Sequence, residues 1–410
     1  MAAAAALPLL LLGAAGAAAP PPPYDVVVYD ASSGGVIAAV AAARHGAKTA
    51  LVCASWPSCF PEGGRIVGGL SAGGLGQTDI GGHTEIIGGF AREFYERNRA
   101  HYSRLGGDAS AAQGSCRLPT AACNATFNLE PHVAQGIFEA MLAEAGVKVS
   151  FGAQVERVAK EGLAVRSITL TDGSVFAAKV FIDASYEGDL FSRAGASYIV
   201  GRESNGTFGE SLAGRAVGPA SNQFDLAVDP FDASGRPLPL LSLPDRTPVG
   251  AGDRKVQSYN FRLCVTKNAS NSLPFPKPAS YDPATWELLR RYAHACFPSR
   301  DDPSQAPRKG CQFGFPSCNT QRVPNAKYDM NNCGGMSSDF IGQSWSYPEA
   351  NYTERQTIWR AHRDYQMGLL WAVSARISRS LASDFPAGLS YILAHRWPTI
   401  PRCRPRSRKG

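Results

Sequence analysis

The sequence predicts an α/β protein. Its first half is Rossmann-like, built on a buried parallel sheet, and its second half has mixed α+β character. Three stretches carry this. Residues 25–53 read DVVVYDASSGGVIAAVAAARHGAKTALVC: a strand, a tight turn, a small-residue helix and a second strand. Residues 154–180 read as a β-meander, with Asp172-Gly173 as its hairpin signal. Residues 180–190, VFIDASYEGDL, end an apolar strand in small residues and a Gly-Asp turn.

The opening run from Asp25 to Val28 is apolar without polar alternation, as suits a strand covered on both faces. Ser32, Ser33, Gly34 and Gly35 let backbone approach a phosphate closely. Ala38 to Ala43 gives the next helix a thin face for tight packing. The N-terminus of that helix offers free N–H groups and a positive dipole end, so a nucleotide pyrophosphate fits there. Two positions depart from the usual fingerprint. Asp30 stands where the first Gly is expected, and Cys53 stands where a ribose-binding Asp or Glu is expected. The alternative reading is a buried βαβ unit that binds nothing.

Residues 56–89 follow, with GGRIVGGLSAGGLGQTDIGG at their centre. So many glycines disfavour regular structure and suit a backbone wrapped on a flat ligand. Ile66, Val67, Leu70, Leu75 and Ile80 give the segment apolar anchors, against the alternative of a mobile surface loop. Helices are expected over 86–104 and 131–145, the second ended by Gly146, then a strand over 147–151. The meander is expected to feed a separate strand, Val180 to Asp183. From about Gly201 to Phe340 prolines multiply, and the β-like run QSYNFRLCVT covers 257–266. Residues 361–381 read as a helix, and there is no internal repeat.

Over 410 residues, 44% are hydrophobic and 18% charged, a globular composition long enough for two domains. The net charge is +7, but Arg396, Arg402, Arg404, Arg406, Arg408 and Lys409 supply most of it without an intervening acid. The body is close to neutral, which argues against nucleic-acid binding, and the tail reads as solvated. Residues 1–19 are nearly all Ala, Leu and Gly, before Pro20 to Pro23. The apolar stretch is short for a membrane span and ends in small residues, as in a secretory signal peptide, although it lacks a basic n-region. An uncleaved anchor is the runner-up.

Secretion also fits four N-glycosylation sequons, at Asn124, Asn205, Asn268 and Asn351, and ten cysteines. No CxxC pair suggests a zinc site or redox dithiol. Cys53 with Cys59, and Cys116 with Cys123, are close enough for local bridges, while Cys264 reads as a buried thiol.

Taken together, DASSGGVIAAVAAARHG, GGLSAGGLGQTDIGG, VFIDASYEGDL with Gly201-Arg202-Glu203, YNFRLCVT and KYDMNNCGGMSSDFIG resemble the FAD-dependent oxidoreductases with a glutathione-reductase-like FAD domain. More narrowly, the chain is similar to the branch sometimes called xanthan-lyase-like. The resemblance runs from about Tyr24 to Trp371. It implies FAD as cofactor, with a Rossmann-like FAD-binding domain carrying a β-meander and a second, mixed α+β substrate domain. The implied division is 1–23 signal peptide and Pro-rich linker, 24–200 FAD-binding domain, 201–371 substrate domain and 372–410 atypical basic tail. Family members continue past Trp371, so that tail looks like a frame change, an alternative splice product or a gene-model error.

The resemblance further implies a pyrophosphate over Ser33, Gly34 and Gly35, and an adenine near the backbone of Val155. Asp183, Ala184, Ser185, Gly188 and Asp189 would approach the ADP half, and Gly73, Gly74 and Gly76 the flavin. The reaction would be hydride transfer between flavin and a small organic substrate. The alternative is a truncated, non-catalytic flavin-fold protein that binds ligand weakly or not at all. A polysaccharide lyase finds no support in the residues.

Asp30 beside a pyrophosphate would cost about 3 kcal/mol per like-charge pair at ~5 Å and an effective dielectric near 20, unless it protonates or rotates away. Loss of the carboxylate at Cys53 would forfeit roughly 1.5–3 kcal/mol. Asp79 and His83 are the first residues to test for catalysis, with capping or surface roles as alternatives, and no residue is assigned as catalytic. Arg202 and Arg262 could bind an anionic substrate, with salt bridges as the plainer reading.

Overall fold

The computed structural model describes residues 24–60, 64–79, 84–104, 127–216, 223–224, 226–242, 245–266, 268, 272–296, 320–332, 334–373 and 392–393. The signal-like segment, His83, Cys116, Cys123, Asn124 and the basic run from Arg396 lie outside them.

Strand β1 (Tyr24–Tyr29), helix α1 (Ser33–Arg44) and strand β2 (Thr49–Cys53) form the opening unit. Val27, Val28 and Tyr29 of β1 and all of β2 are buried, as the unbroken apolar runs require. Ser32 caps α1, its Oγ accepting from Gly35 N at 3.1 Å. Ala39 and Val40 are buried against the sheet, so small side chains set a short helix-to-sheet distance. Helix α2 (Gly69–Gly73) is a short turn inside the glycine-rich loop, where no regular structure was expected. It spans only five residues, begun and ended by glycines with positive φ at Gly68 and Gly74.

Helices α3 (Gly89–Arg104) and α4 (Pro131–Glu144) cover one face of the sheet, with Phe94 stacked on Phe138 at 4.3 Å. Strand β3 (Lys148–Phe151) follows, then β4 (Val155–Glu161), β5 (Ala164–Leu170) and β6 (Val175–Asp183). The six strands order as β3-β2-β1-β6-β5-β4. The first four are parallel, while β6, β5 and β4 are antiparallel. The meander's last strand and the strand expected over 180–183 are one element. Its first half pairs with β5, and pairing with β1 then runs from Ala178 to Asp183, so nothing breaks the chain between them.

Helices α5 (Asp189–Arg193) and α6 (Asn205–Phe208) precede the second sheet. That sheet comprises β7 (Leu263–Thr266), β8 (Thr320–Val323), β9 (Lys327–Met330) and β10 (Ile392–Leu393), antiparallel in the order β10-β7-β9-β8. Helix α7 (Glu287–Cys296) lies in the sequence between β7 and β8. The strand expected over 257–266 shrinks to β7. Gln366 explains this: its side chain bonds both the N–H (2.8 Å) and C=O (2.7 Å) of Phe261, taking the groups a sheet partner would use. Helix α8 (Tyr352–Trp371) starts well before the expected Ala361, because Asn351 caps it by accepting from Glu354 N at 2.9 Å.

One buried ion pair and one shared carboxylate join the second sheet to the first half. Lys327 meets Glu130, just before α4, at 2.5 Å with both side chains under 3% exposed. Arg262 pairs with Asp329, whose Oδ2 also accepts from Gly76 N at 3.0 Å. Cys264 is buried but disulfide-bonded, as is Cys296, so the expected thiol at Cys264 does not exist. Among the described residues, no helix is long and apolar enough to cross a membrane.

Candidate functional site

A cavity of about 220 Å³ opens where β1, α1, β2 and the turn after β6 face β7 and α8. Its first wall comprises Tyr29 to Ser32, Ala54 to Cys59, Gly69, Leu70 and Gly73. Across it stand Asn260 to Leu263, Tyr347, Tyr352, Arg355 and Trp359. Ser185, Tyr186, Glu187 and Asp189, with Ile66 and Gln154, complete the lining.

The first turn of α1 is open at Gly34. Gly34 is exposed, and a Cβ built on it would meet nothing closer than Ser32 Oγ at 3.9 Å. The N–H groups of Ser33 and Gly34 precede the helix's internal bonds and remain available to an anion. Gly35 has the opposite role. A Cβ there would lie 1.9 Å from Asp30 O and 2.9 Å from Ala184 Cβ, so glycine is needed for α1 to meet both strand tips. Ser33 Oγ donates to Gly68 O at 2.7 Å and bonds Ser71 Oγ at 2.9 Å, tying α1 to the glycine-rich loop.

The two departures from the fingerprint form one unit. Asp30 turns its carboxylate away from α1 and into the loop after β2. Oδ1 accepts from Ala31 N (2.5 Å) and Ala54 N (2.8 Å), and Oδ2 from Ser55 Oγ. A disulfide between Cys53 and Cys59 closes that loop, and Cys59 Sγ lies 3.7 Å from Asp30 Oδ1. Burial pushes the Asp30 carboxyl above the usual range, against the donors that favour its charge. The cluster of Asp30, Cys53 and Cys59 resembles a metal-ligand set by proximity, but bridged sulfurs offer no thiolate. Beside it, the indole N–H of Trp56 is buried without a protein acceptor among the described residues.

The other sequence-predicted residues divide by environment. Gly73 lines the cavity and is open, whereas Gly74 and Gly76 are packed on protein. A Cβ on Gly74 would meet Arg262 O at 2.3 Å, and one on Gly76 would meet Val323 at 2.6 Å. Both main-chain groups of Val155 are bonded: its N–H to Tyr29 OH at 3.1 Å, its C=O to Tyr352 OH at 2.8 Å. Asp183 accepts from Ser185 N and Oγ on one oxygen, and from Leu190 N and Phe191 N on the other. It thereby shapes the turn into α5. Ala184 O accepts from Ser32 Oγ at 2.7 Å, and Ser185 faces the cavity. Gly188 takes positive φ before α5. Asp189 is held by Arg355 Nη1 at 2.7 Å and Arg193 at 3.1 Å.

Asp79 is exposed and off the cavity. Arg202 is paired with Asp253, also off the cavity, and Arg262 with Asp329 at its edge, so the plainer reading holds for both. Sequence reasoning missed Glu187 and α8's contribution. Glu187 lay inside a quoted motif. Arg355 gave no local signal, since only folding places it between the rings of Tyr347 and Tyr352, at 5.6 and 5.7 Å.

A parallel sheet, an open helix N-terminus at its carboxyl edge and a meander define a Rossmann-like nucleotide-binding protein. Its residues fit a flavin nucleotide in one respect above all: anion-seeking N–H groups open beside the cavity. The family model "FAD dependent oxidoreductase" matches residues 25–404, and the chain belongs to that family, with FAD as its cofactor. The match runs past Trp371.

Among solved structures, L-proline dehydrogenase from P. horikoshii is similar at 13% identity and a TM-score of 0.31, over 45% of this chain and 59% of that one. L-amino acid deaminase from Proteus vulgaris, with its specific insertion deleted, gives 13% and 0.29, over 45% and 60%. A flavin monooxygenase variant from Stenotrophomonas maltophilia gives 14% and 0.23, over 39% and 37%. The chain therefore spans less than two thirds of each. No curated protein matches it.

Proposed function

We propose that this protein is a secretory-pathway oxidoreductase that moves hydride between a small organic substrate and FAD. The observation that carries the reading is the open first turn of α1, where Ser33 and Gly34 present N–H groups beside the cavity. FAD, when bound, supplies the two-electron redox chemistry. The chain's own residues bind, orient and exclude water. Ser33 and Gly34 would hold the pyrophosphate, with Gly35 packing α1 on the strand tips beneath it and Ala184, Ser185, Gly188 and Asp189 shaping the ADP side. Gly73, which lines the cavity with open space around it, would leave room for the flavin half. Trp56, Phe261 and Trp359 line the remaining space and keep it apolar. In this reading residues 24–200 form the FAD-binding domain and 201–371 the substrate domain.

The secretory location is supported by the described cysteines, Cys53, Cys59, Cys264 and Cys296, all of which are disulfide-bonded. The sequon residues Asn205, Asn268 and Asn351 are exposed, as glycan acceptors must be. Expression through an oxidising secretory host should give a glycosylated protein with absorbance bands near ~375 and ~450 nm. A colourless folded protein that added FAD fails to stabilise would refute the functional reading.

The cavity volume favours the second reading, a non-catalytic flavin-fold protein that binds ligand weakly or not at all. About 220 Å³ is below the roughly 300–1,000 Å³ common for small-molecule sites. A yellow protein that no donor from an amine, alcohol and hydroxy-acid panel reduces would select it.

A further inference from the structure

Three carboxyl groups line the cavity, and two are spent. Asp30 is saturated by two main-chain N–H groups and Ser55. Asp189 is held by Arg355 and Arg193. Asp183, just behind the lining, uses both oxygens on the turn into α5. Glu187 differs. Apart from its own amide, its carboxyl meets no hydrogen-bond donor and no ion-pair partner among the described residues, yet it faces the cavity. Arg355 does not reach it at contact distance: its hydrogen bonds go to Asp189, Tyr347 O (2.9 Å) and Pro348 O (2.6 Å).

On its other side the same cavity lacks the carboxylate usual at the tip of the second strand. A Rossmann-like site ordinarily places a carboxylate at the tip of the second strand to accept from ribose hydroxyls. Here that tip is Cys53, fully buried and bonded to Cys59.

We propose that Glu187 is the polyol-binding carboxylate of this cleft, accepting hydrogen bonds from vicinal hydroxyls of FAD in place of the missing group at Cys53. The inference rests on the reading of the cavity as the FAD cleft. Vicinal hydroxyls occur on the adenosine ribose and on the ribityl chain, and both would be recognised by the same chemistry. The position suits the task. Glu187 lies in the turn between β6 and α5, whose backbone Asp183 and Gly188 fix on either side. The groups around it are Arg355 of α8, Asp189 of α5, Asp30 at the tip of β1, and Tyr186, Tyr259 and Tyr347. Burial, with the two acids against one arginine, holds its carboxyl up at about 7. Hydrogen bonds from sugar hydroxyls favour the charged form, so binding would release a proton near neutral pH.

The test is calorimetric titration of the full-length apoprotein with FAD, ADP and FMN, for the parent and Glu187→Gln. ADP carries only the ribose and FMN only the ribityl chain. We expect Glu187→Gln to weaken FAD about tenfold or more, the scale of a charge-assisted hydrogen bond. An equal loss for ADP with FMN unchanged places the contact at the ribose, and the converse places it at the ribityl chain. Unchanged affinity for all three overturns the proposal while leaving the cleft as the FAD site. A parent chain that takes up none of the three overturns the reading of the cleft and this proposal with it. Should the variant fail to fold, the parent decides. Its FAD affinity should rise between about pH 6 and pH 8 with measurable proton release, and a flat profile without release overturns the assignment.

Discussion

The two walls of the cleft are built on different principles. The wall of β1, α1 and β2 uses small residues and main-chain groups, and its one acid, Asp30, is folded inward and saturated. The opposite wall, from α8 and β7, uses long aromatic and charged side chains fixed by partners far away in sequence, such as Arg355 on Asp189 and Gln366 on Phe261. Backbone geometry makes the first wall, and side-chain pairing makes the second. Substitutions should therefore fail differently on each side.

The largest effect is expected on the charged wall. Arg355→Ala leaves Asp189, whose side chain is 8% exposed, with Arg193 alone, and breaking such a buried pair costs up to about 3–5 kcal/mol. Denaturant unfolding should show it, and a loss under 1 kcal/mol would mean that water reaches Asp189. On the small-residue wall, Gly35→Ala drives a methyl into Asp30 O and should cost about 3 kcal/mol, at the upper end for overpacking. Gly34→Ala is its control, with open space around the new methyl. It should fold as well as the parent while weakening FAD, and equal behaviour of the two variants would contradict the division of roles. Replacing Cys53 and Cys59 together by Ser should cost about 2 kcal/mol, because the bridged loop is short. Smallest is Tyr352→Phe, which removes one bond to Val155 O and should cost about 1 kcal/mol.

A pH series sharpens the same contrast. The Glu187 carboxyl is raised above its ordinary value, to about 7 in the folded chain. The folded state then binds the proton more tightly than the unfolded one. Stability from this group is present below its unfolded pKa and is lost as pH rises towards 7. The half-buried His101 and the buried His362 are lowered by burial and act oppositely, costing stability as pH falls. The difference between parent and Glu187→Gln apoprotein isolates the carboxyl. The parent should lose melting temperature relative to the variant from about pH 5 to pH 7.5, and parallel curves would count against the shift.

The first wall was legible in the sequence because its signals are local. An unbroken apolar strand, a Ser-Ser-Gly-Gly turn and a small-residue helix lie within one stretch and specify each other. The meander was legible for the same reason, through Asp172-Gly173. The second wall was not. Nothing near Gln366 announces that it will satisfy Phe261, and so the strand expected over 257–266 was drawn too long. The loop of Asp30, Cys53 and Cys59 was read as two separate faults, because only the fold shows the disulfide closing around the carboxylate. Glu187 stood inside the motif, but its isolation is a property of what its neighbours bond.

Strand β6 carries a last consequence. One strand is paired antiparallel with β5 near its start and parallel with β1 towards its end. Side chains alternate along it, so a slip of one residue at the exposed hairpin would turn every later side chain to the opposite face. Asp183 would then lose the turn it shapes, and Glu187 would no longer look into the cleft. The hairpin at Asp172-Gly173 thus keeps the phase of the nucleotide edge, and insertions there should be tolerated only in the turn itself.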